Sequence, residues 1–194
     1  MDVGQSANME DDPSWLKDAI TNGTLVCVTD GSYDRKKSRD ISGAGWIIYC
    51  KASKRHLKGS FVERSESAGS FRRELLGMLA IHLFLLAAEE HYDTAGNGTA
   101  IFCDNKGAIF TFAKKYKRVA AGWRHGDINR VLRRIQRRLK SAPSHTHVKA
   151  HQDDHRNRAK LALEAQLNCI CNDMAKAAVI GAVYSEIREE PISR

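Results

Sequence analysis

The chain has 194 residues, 42% hydrophobic and 28% charged, a globular balance that excludes global disorder and fibrous repeats and leaves room for one domain with short appendages. Thirty-one Lys and Arg against 23 Asp and Glu give a net charge of +8, which favours a polyanionic partner such as nucleic acid. No apolar run reaches the ~18 residues of a bilayer span, and the acidic, polar first residues lack a signal peptide's pattern, so an intracellular setting is expected.

Residues 1–20 show no sustained period and read as a flexible leader, with Trp15 and Leu16 able to dock. The domain proper is expected over 21–184, followed by a flexible tail over 185–194. Thr24 to Thr29 is apolar on both faces and rich in branched residues, the pattern of a central strand, and it stops at Asp30-Gly31. A polar, basic loop through Lys36 and Lys37 leads to a strand over Gly43 to Cys50 and a weaker one near Leu57 to Val62, an antiparallel meander.

From Phe71 to about His91, Leu75, Leu76, Leu79, Leu83, Leu86 and Ala87 recur at helical spacing and predict the long central helix. A strand over Ala100 to Cys103 stops at Asp104 and gives way to a short helix through Phe112, an order that points to parallel pairing. A helix over Asp127 to Lys140 is expected to carry Ile128, Val131, Leu132, Ile135 and Leu139 on one face. Its other face would hold Arg130, Arg133, Arg134, Arg137 and Arg138, with Pro143 closing it. A strand over His145 to Ala150, a polar stretch over Gln152 to Lys160 and a last helix from Leu161 or Glu164 to Val183 complete an α/β domain with a mixed sheet.

Cys27, Cys50, Cys103, Cys169 and Cys171 are odd in number and mostly lie inside apolar runs, which fits buried thiols in a reducing compartment. The C-x-C pair Cys169 and Cys171 lacks a second pair, so a structural zinc is not expected. The spacing of His145, His147, His151 and His155 is explained by alternation at a strand end.

Asp30 and Asp104 each end a strand that is otherwise apolar, and by alternation each points to the side of its own apolar neighbours, Val26 and Val28 or Ala100 and Phe102. If the two strands are adjacent and parallel, their ends lie about 5 Å apart, and the two acids repel unless a cation sits between them. Glu74, beside Leu75 and Leu76, and Asp173, among Cys169, Ile170, Met174 and Ala177, are acids on semi-apolar helix faces. Each alone is ordinary; the four together suggest a divalent ion site.

Thr29-Asp30-Gly31-Ser32 after the first strand, Ser70-Phe-Arg-Arg-Glu74-Leu opening the long helix and Phe102-Cys-Asp104-Asn resemble the first three motifs of type 1 ribonuclease H. Val148-Lys-Ala-His151, with Leu167-Asn168 to Asp173-Met-Ala, resembles the rest, over roughly residues 24 to 180. His151-Gln-Asp-Asp154 and Ala165-Gln-Leu-Asn168 look most like ribonuclease H domains attached to retroelement reverse transcriptases.

The resemblance implies a five-stranded mixed sheet, three antiparallel strands then two parallel, flanked by helices. It implies hydrolysis of the RNA strand of an RNA/DNA hybrid to 5′-phosphate and 3′-hydroxyl products with two Mg²⁺ ions, Mn²⁺ being able to substitute. Asp30, Glu74, Asp104 and Asp173 would be the metal ligands and His151 an auxiliary proton relay. Ser32, Ser70 and Asn105 would meet the minor groove of the hybrid, and the basic face of Arg130, Arg133, Arg134, Arg137 and Arg138, with Lys114, Lys115, Lys117 and Arg118, would follow phosphates. A reverse transcriptase domain in a native polyprotein would be the partner.

No Walker loop, G-x-G-x-x-G, G-x-S-x-G or H-E-x-x-H motif is present, which removes nucleotide hydrolases, dehydrogenases, esterases and zincins. Two readings stay open beside the ribonuclease: a non-catalytic nucleic-acid-binding module of the same fold, and a DNA-directed nuclease of resolvase or transposase type.

Overall fold

A computed structural model describes residues 14–33, 39–65, 69–113 and 122–189, with side chains to residue 184. Three antiparallel strands, β1 (Leu25–Ser32), β2 (Ile41–Cys50) and β3 (His56–Arg64), are joined by β4 (Ala100–Cys103) and β5 (Ser144–His147) in the order β3-β2-β1-β4-β5. β4 pairs parallel to both β1 and β5, so the chain changes sense at β1, and the carboxyl ends of β1 and β4 lie side by side. Val26 faces Ala100 and Val28 faces Phe102, the register that the two-residue alternation requires for Asp30 and Asp104 to lie close together.

The sheet is covered on both faces, which explains the double-sided apolarity of β1. On one face α2 (Ser70–Tyr92) packs Leu75, Met78, Ile81 and Leu85 against Cys27, Ile48 and Ile101. On the other, α5 (Leu163–Glu189) sets Leu167 and Cys171 against Val26, Val28 and Ile47. The helices approach closely because the sheet offers glycine: a Cβ on Gly45 would lie 2.3 Å from the Cys171 carbonyl oxygen. Gly77 performs the same service from the α2 side, where a Cβ would lie 2.1 Å from Thr29 Oγ1.

The leader is corrected where the structure reaches it. Ser14–Thr21 form α1, which buries Trp15, Leu16, Ala19 and Ile20 in the main core, so the helical period was too short to register in the sequence. The tail is corrected likewise: α5 runs past 184 to Glu189.

α3 (Lys106–Ala113) and α4 (Gly126–Arg138) flank the α2 side. α4 ends before the expected Lys140, well short of Pro143, because Glu89 takes its continuation: this buried carboxylate accepts the Lys140 N–H at 2.8 Å and the Gly96 N–H at 2.9 Å. β5 is shorter than expected for a similar reason. β4 has four residues to pair with, and the last rung is the Val148 N–H to the Cys103 carbonyl. His82 and His145 stack between α2 and β5 with Nε2 atoms 3.1 Å apart, and burial lowers both, to about 3 and about 4, so the pair is neutral.

Candidate active site

Asp30, Glu74 and Asp104 converge where β1 and β4 end beneath the first turns of α2. The two strand-end aspartates arrive from adjacent parallel strands, and Glu74 reaches in from the helix that covers them. Asp30 is 6% exposed and Glu74 is 3% exposed, and no hydrogen bond compensates that burial fully: Asp30 Oδ1 accepts the Gly31 N–H at 2.6 Å, and the Cys103 thiol lies 3.7 Å from Glu74 Oε2. The Cys103 Sγ, a Glu74 oxygen and an Asp104 oxygen all lie within 4.8 Å of one another.

Burial, reinforced by the neighbouring carboxylates, pushes Asp30 up to about 7 and Glu74 up to about 8. Burial also raises Asp104, while the charges of Arg73, His151 and His147 pull it down. Carboxyls that hold protons this firmly stand where burial and mutual repulsion outweigh the charges of Arg73 and Lys176. Oxygen donors in such a cluster suit a hard divalent cation, and the three residues fit one. Burial holds Cys103 far above the ordinary thiol range, so it stays protonated, a neutral donor toward Glu74.

No family model matches the sequence, and no curated protein matches it. Solved structures do. LC11-RNase H1 in complex with an RNA/DNA hybrid superposes with a TM-score of 0.60 at 10% identity, covering 82% of this chain and 99% of that one. The foamy viral protease-reverse transcriptase in complex with an RNA/DNA hybrid also gives 0.60, at 12% identity, covering 92% of this chain and 22% of that longer one. The N-terminal ribonuclease H domain of a Mycobacterium tuberculosis protein gives 0.53 at 12% identity, over 84% and 97% of the two chains. This chain has the ribonuclease H fold.

Within that fold Asp30, Glu74 and Asp104 act on one another electrostatically, and Asp173 lies exposed on α5. Its side chain is 54% exposed and ion-paired with Arg158 at 2.8 Å. Helical phase explains this: Cys171 points into the sheet, its Sγ 3.3 Å from the Val28 carbonyl, and a residue two positions on lies about 200° around the helix. Asn172 and Lys176, one turn apart, occupy the flank between, and the Lys176 charge acts on Asp30.

His151 is exposed, in the left-handed conformation at φ 50°, where the chain leaves β5 for the 3-10 turns Gln152–Asp154 and Arg158–Lys160. Its charge reaches Asp104, as expected of a group at the rim of the pocket. Arg158 binds Asp153 at 2.7 Å as well as Asp173, so one guanidinium ties the loop after His151 to α5.

The substrate-facing expectations divide. Ser32 is half-buried at the end of β1 and Ser70 is exposed at the start of α2. Asn105 is half-buried, and its Oδ1 accepts the Ala108 N–H at 3.0 Å, capping α3. Arg130, Arg134 and Arg137 are exposed on α4, and Arg138 is exposed and paired with Glu90 at 2.6 Å. Arg133 is corrected: it is 8% exposed and donates to the Thr111 carbonyl at 3.1 Å and to Gln136, joining α4 to α3. Val131 is 41% exposed, on the basic side of the helix rather than the apolar one. Lys114, Lys115, Lys117 and Arg118 lie outside the described residues.

Sequence reasoning missed Arg158 and reached Arg73 only as an ion-pair partner for Glu74, which it is. Arg73 precedes Glu74, and its charge acts on Asp30, Glu74 and Asp104 alike. Its signal in the sequence was a second arginine beside Arg72, whose own partners are Glu63 and Asp127 on β3 and α4.

Proposed function

We propose that this chain is a divalent-metal-dependent endonuclease that hydrolyses the RNA strand of RNA/DNA hybrids, leaving 5′-phosphate and 3′-hydroxyl ends. The observation that carries the proposal is the convergence of buried Asp30 and Glu74 with half-buried Asp104, mutually repelling, at the carboxyl ends of β1 and β4. A pure binding module gains nothing from such a cluster, since buried carboxylates repel the phosphates it must hold.

Asp30, Glu74 and Asp104 would hold the cation, Mg²⁺ or Mn²⁺. Bound there, it would make the attacking water more acidic and neutralise charge on the phosphate. The residues of the chain do the remainder. His151, on its loop where its charge acts on Asp104, would relay a proton toward or away from the reacting oxygens. Ser32, Ser70 and the free amide of Asn105 offer short polar groups to ribose hydroxyls, and Arg130, Arg134 and Arg137 supply salt-sensitive affinity for phosphates.

The likeness to a domain within the foamy viral protease-reverse transcriptase supports a native association with reverse transcriptase. Five free, buried cysteines support a reducing compartment. Among the described residues, no helix is long and apolar enough to cross a membrane.

The test is cleavage of an RNA/DNA hybrid labelled on each strand, beside duplex DNA, with Mg²⁺, Mn²⁺ or chelator. The expected result is metal-dependent cutting of the RNA strand alone, lost in Asp104→Asn. Binding without cutting would favour the non-catalytic module, and cutting of duplex DNA the resolvase-like alternative.

A further inference from the structure

Arg72 joins three elements at the head of the long helix. Its guanidinium meets the Glu63 carboxylate of β3 through Nε at 2.8 Å and Nη2 at 2.7 Å. It meets the Asp127 carboxylate of α4 through Nη1 at 3.1 Å and Nη2 at 2.6 Å, and Nη1 also lies 3.5 Å from Nδ1 of His125. The side chain is 11% exposed, so a planar fork of donors is spent on two carboxylates from separate elements, a task the compact ammonium of lysine cannot perform. The hydrogen bonds from Arg72 hold the Asp127 carboxyl down to about 2.

His125 completes the joint. It is buried, its ring centre lies 5.6 Å from that of Phe71 on α2, and its carbonyl accepts both the backbone and the side-chain N–H of Asn129. Its backbone stands in the left-handed region at φ 58°, which a non-glycine residue holds only where its surroundings impose it. The chain is therefore fixed at the point where it enters α4.

The joint sets the place of α4 relative to the acids. Arg72 and Glu74 lie two residues apart at the start of α2, and Asp127 lies in the first turn of α4, just before Arg130. The two helices run side by side in the same sense, since Arg138 pairs with Glu90 at their far ends. That second pair is exposed on both sides, a weak tie. Ile128, Leu132 and Ile135 keep α4 in the main core with or without the joint, whereas the directional bonds of Arg72 pin its first turn.

We propose that Arg72 is a positioning residue for nucleic-acid binding: by tying Asp127 to Glu63 it holds the exposed arginines of α4 in register with Glu74 and the strand-end acids, so that one hybrid reaches both. This rests on the hydrolase reading and on phosphate contacts by Arg130, Arg134 and Arg137, and it gives Arg72 itself no contact with substrate.

The experiment compares the full native chain with Asp127→Asn and Asp127→Glu, each also made with alanine at Arg130, Arg134 and Arg137. Asp127 is replaced because Glu63 then keeps the Arg72 guanidinium paired. The readouts are kcat and KM for hybrid cleavage with Mg²⁺, hybrid affinity against salt in chelator, and Tm. Removing a negative charge would by simple attraction tighten binding to a polyanion, so weaker binding is the signature of lost positioning. Asp127→Asn should raise KM at least about fivefold with kcat within about twofold, and lower the salt slope by about one. Asp127→Glu should restore both. With the three arginines already replaced, Asp127→Asn should move KM by less than about twofold, because the contacts it misplaces are gone.

A native KM in Asp127→Asn with only a lower Tm, a loss confined to kcat, or an undiminished KM effect in the arginine-free background would each overturn the positioning role and leave the hydrolase reading standing. A native chain that neither binds nor cuts the hybrid would remove both.

Discussion

Asp30 and Glu74 are buried acids, whereas Asp173 is exposed and ion-paired with Arg158. Asp30 and Asp104 were legible from sequence because strand alternation has a period of two, and a polar residue at an apolar strand end has one of only two directions open to it. A helix position has no such simplicity, because 100° per residue separates neighbours and the site-facing position depends on which residue touches the sheet. Cys171 sets that phase through its contact with Val28, and nothing in the sequence names it as the inward residue. The functional consequence is measurable. Asp104→Asn should lower hybrid cleavage at least a thousandfold and Asp173→Ala, at an exposed position, by less; the reverse order in single-turnover assays would contradict this ranking.

The raised acids also set a pH dependence. A carboxyl whose folded pKa exceeds its unfolded value favours folding while protonated, and this contribution is lost as pH rises through the folded pKa. For Asp30 and Glu74 that loss extends to about pH 7 and about pH 8. His82 and His145, lowered to about 3 and about 4, act in the opposite sense, withdrawing stability as pH falls below the ordinary histidine range. Without divalent ions the Tm should therefore fall between pH 6.5 and 8.5, and Mn²⁺ should abolish the fall. A flat Tm across this window in chelator, or no response to Mn²⁺, would mean the acids are not buried together.

At the scale of elements, the order βββ, α, β, α, α, β, α was readable because each long element carries an unambiguous period. The departures come from contacts between elements. α4 stops early because Glu89 on α2 takes the Lys140 N–H, and Val131 turns outward because Arg133, not Val131, fills the seam with α3. The arginine period of α4 looked like one solvated face until the neighbouring helix was in place. The glycines of β2 have the same character: Gly45 reads in sequence as one residue of a strand and is a docking point for α5 in the fold. Gly45→Ala should destabilise by roughly 1 to 3 kcal/mol, because the clash is with backbone rather than a movable side chain. Urea unfolding checks this, and an unchanged midpoint would mean α5 sits farther from the sheet. Arg158→Ala, which unties the 152–161 loop from α5, should depress hybrid cleavage several-fold with little change in Tm; an equal loss in Asp173→Ala would point to the clamp, and no loss would make it merely a surface pair.

For the whole molecule, the net charge of +8 and its placement bear on how substrate is held. Arg130, Arg134 and Arg137 lie exposed on α4, along one side of the helix that packs on α2, the helix carrying Glu74. Each arginine neutralising a phosphate contributes a salt slope of ~0.7 to 0.9, so replacing all three with alanine should reduce the slope of log K against log salt by about 2 to 3. Arg133→Ala should instead lower stability and leave the slope unchanged, because that side chain is spent on α3.

The account as a whole stands on three acids from three separate elements forming one cation pocket. Anomalous diffraction from crystals grown with Mn²⁺ locates the ion directly: the account predicts a peak bounded by Asp30, Glu74 and Asp104 with Asp173 still on Arg158, and a peak elsewhere, or none at that cluster, would contradict it.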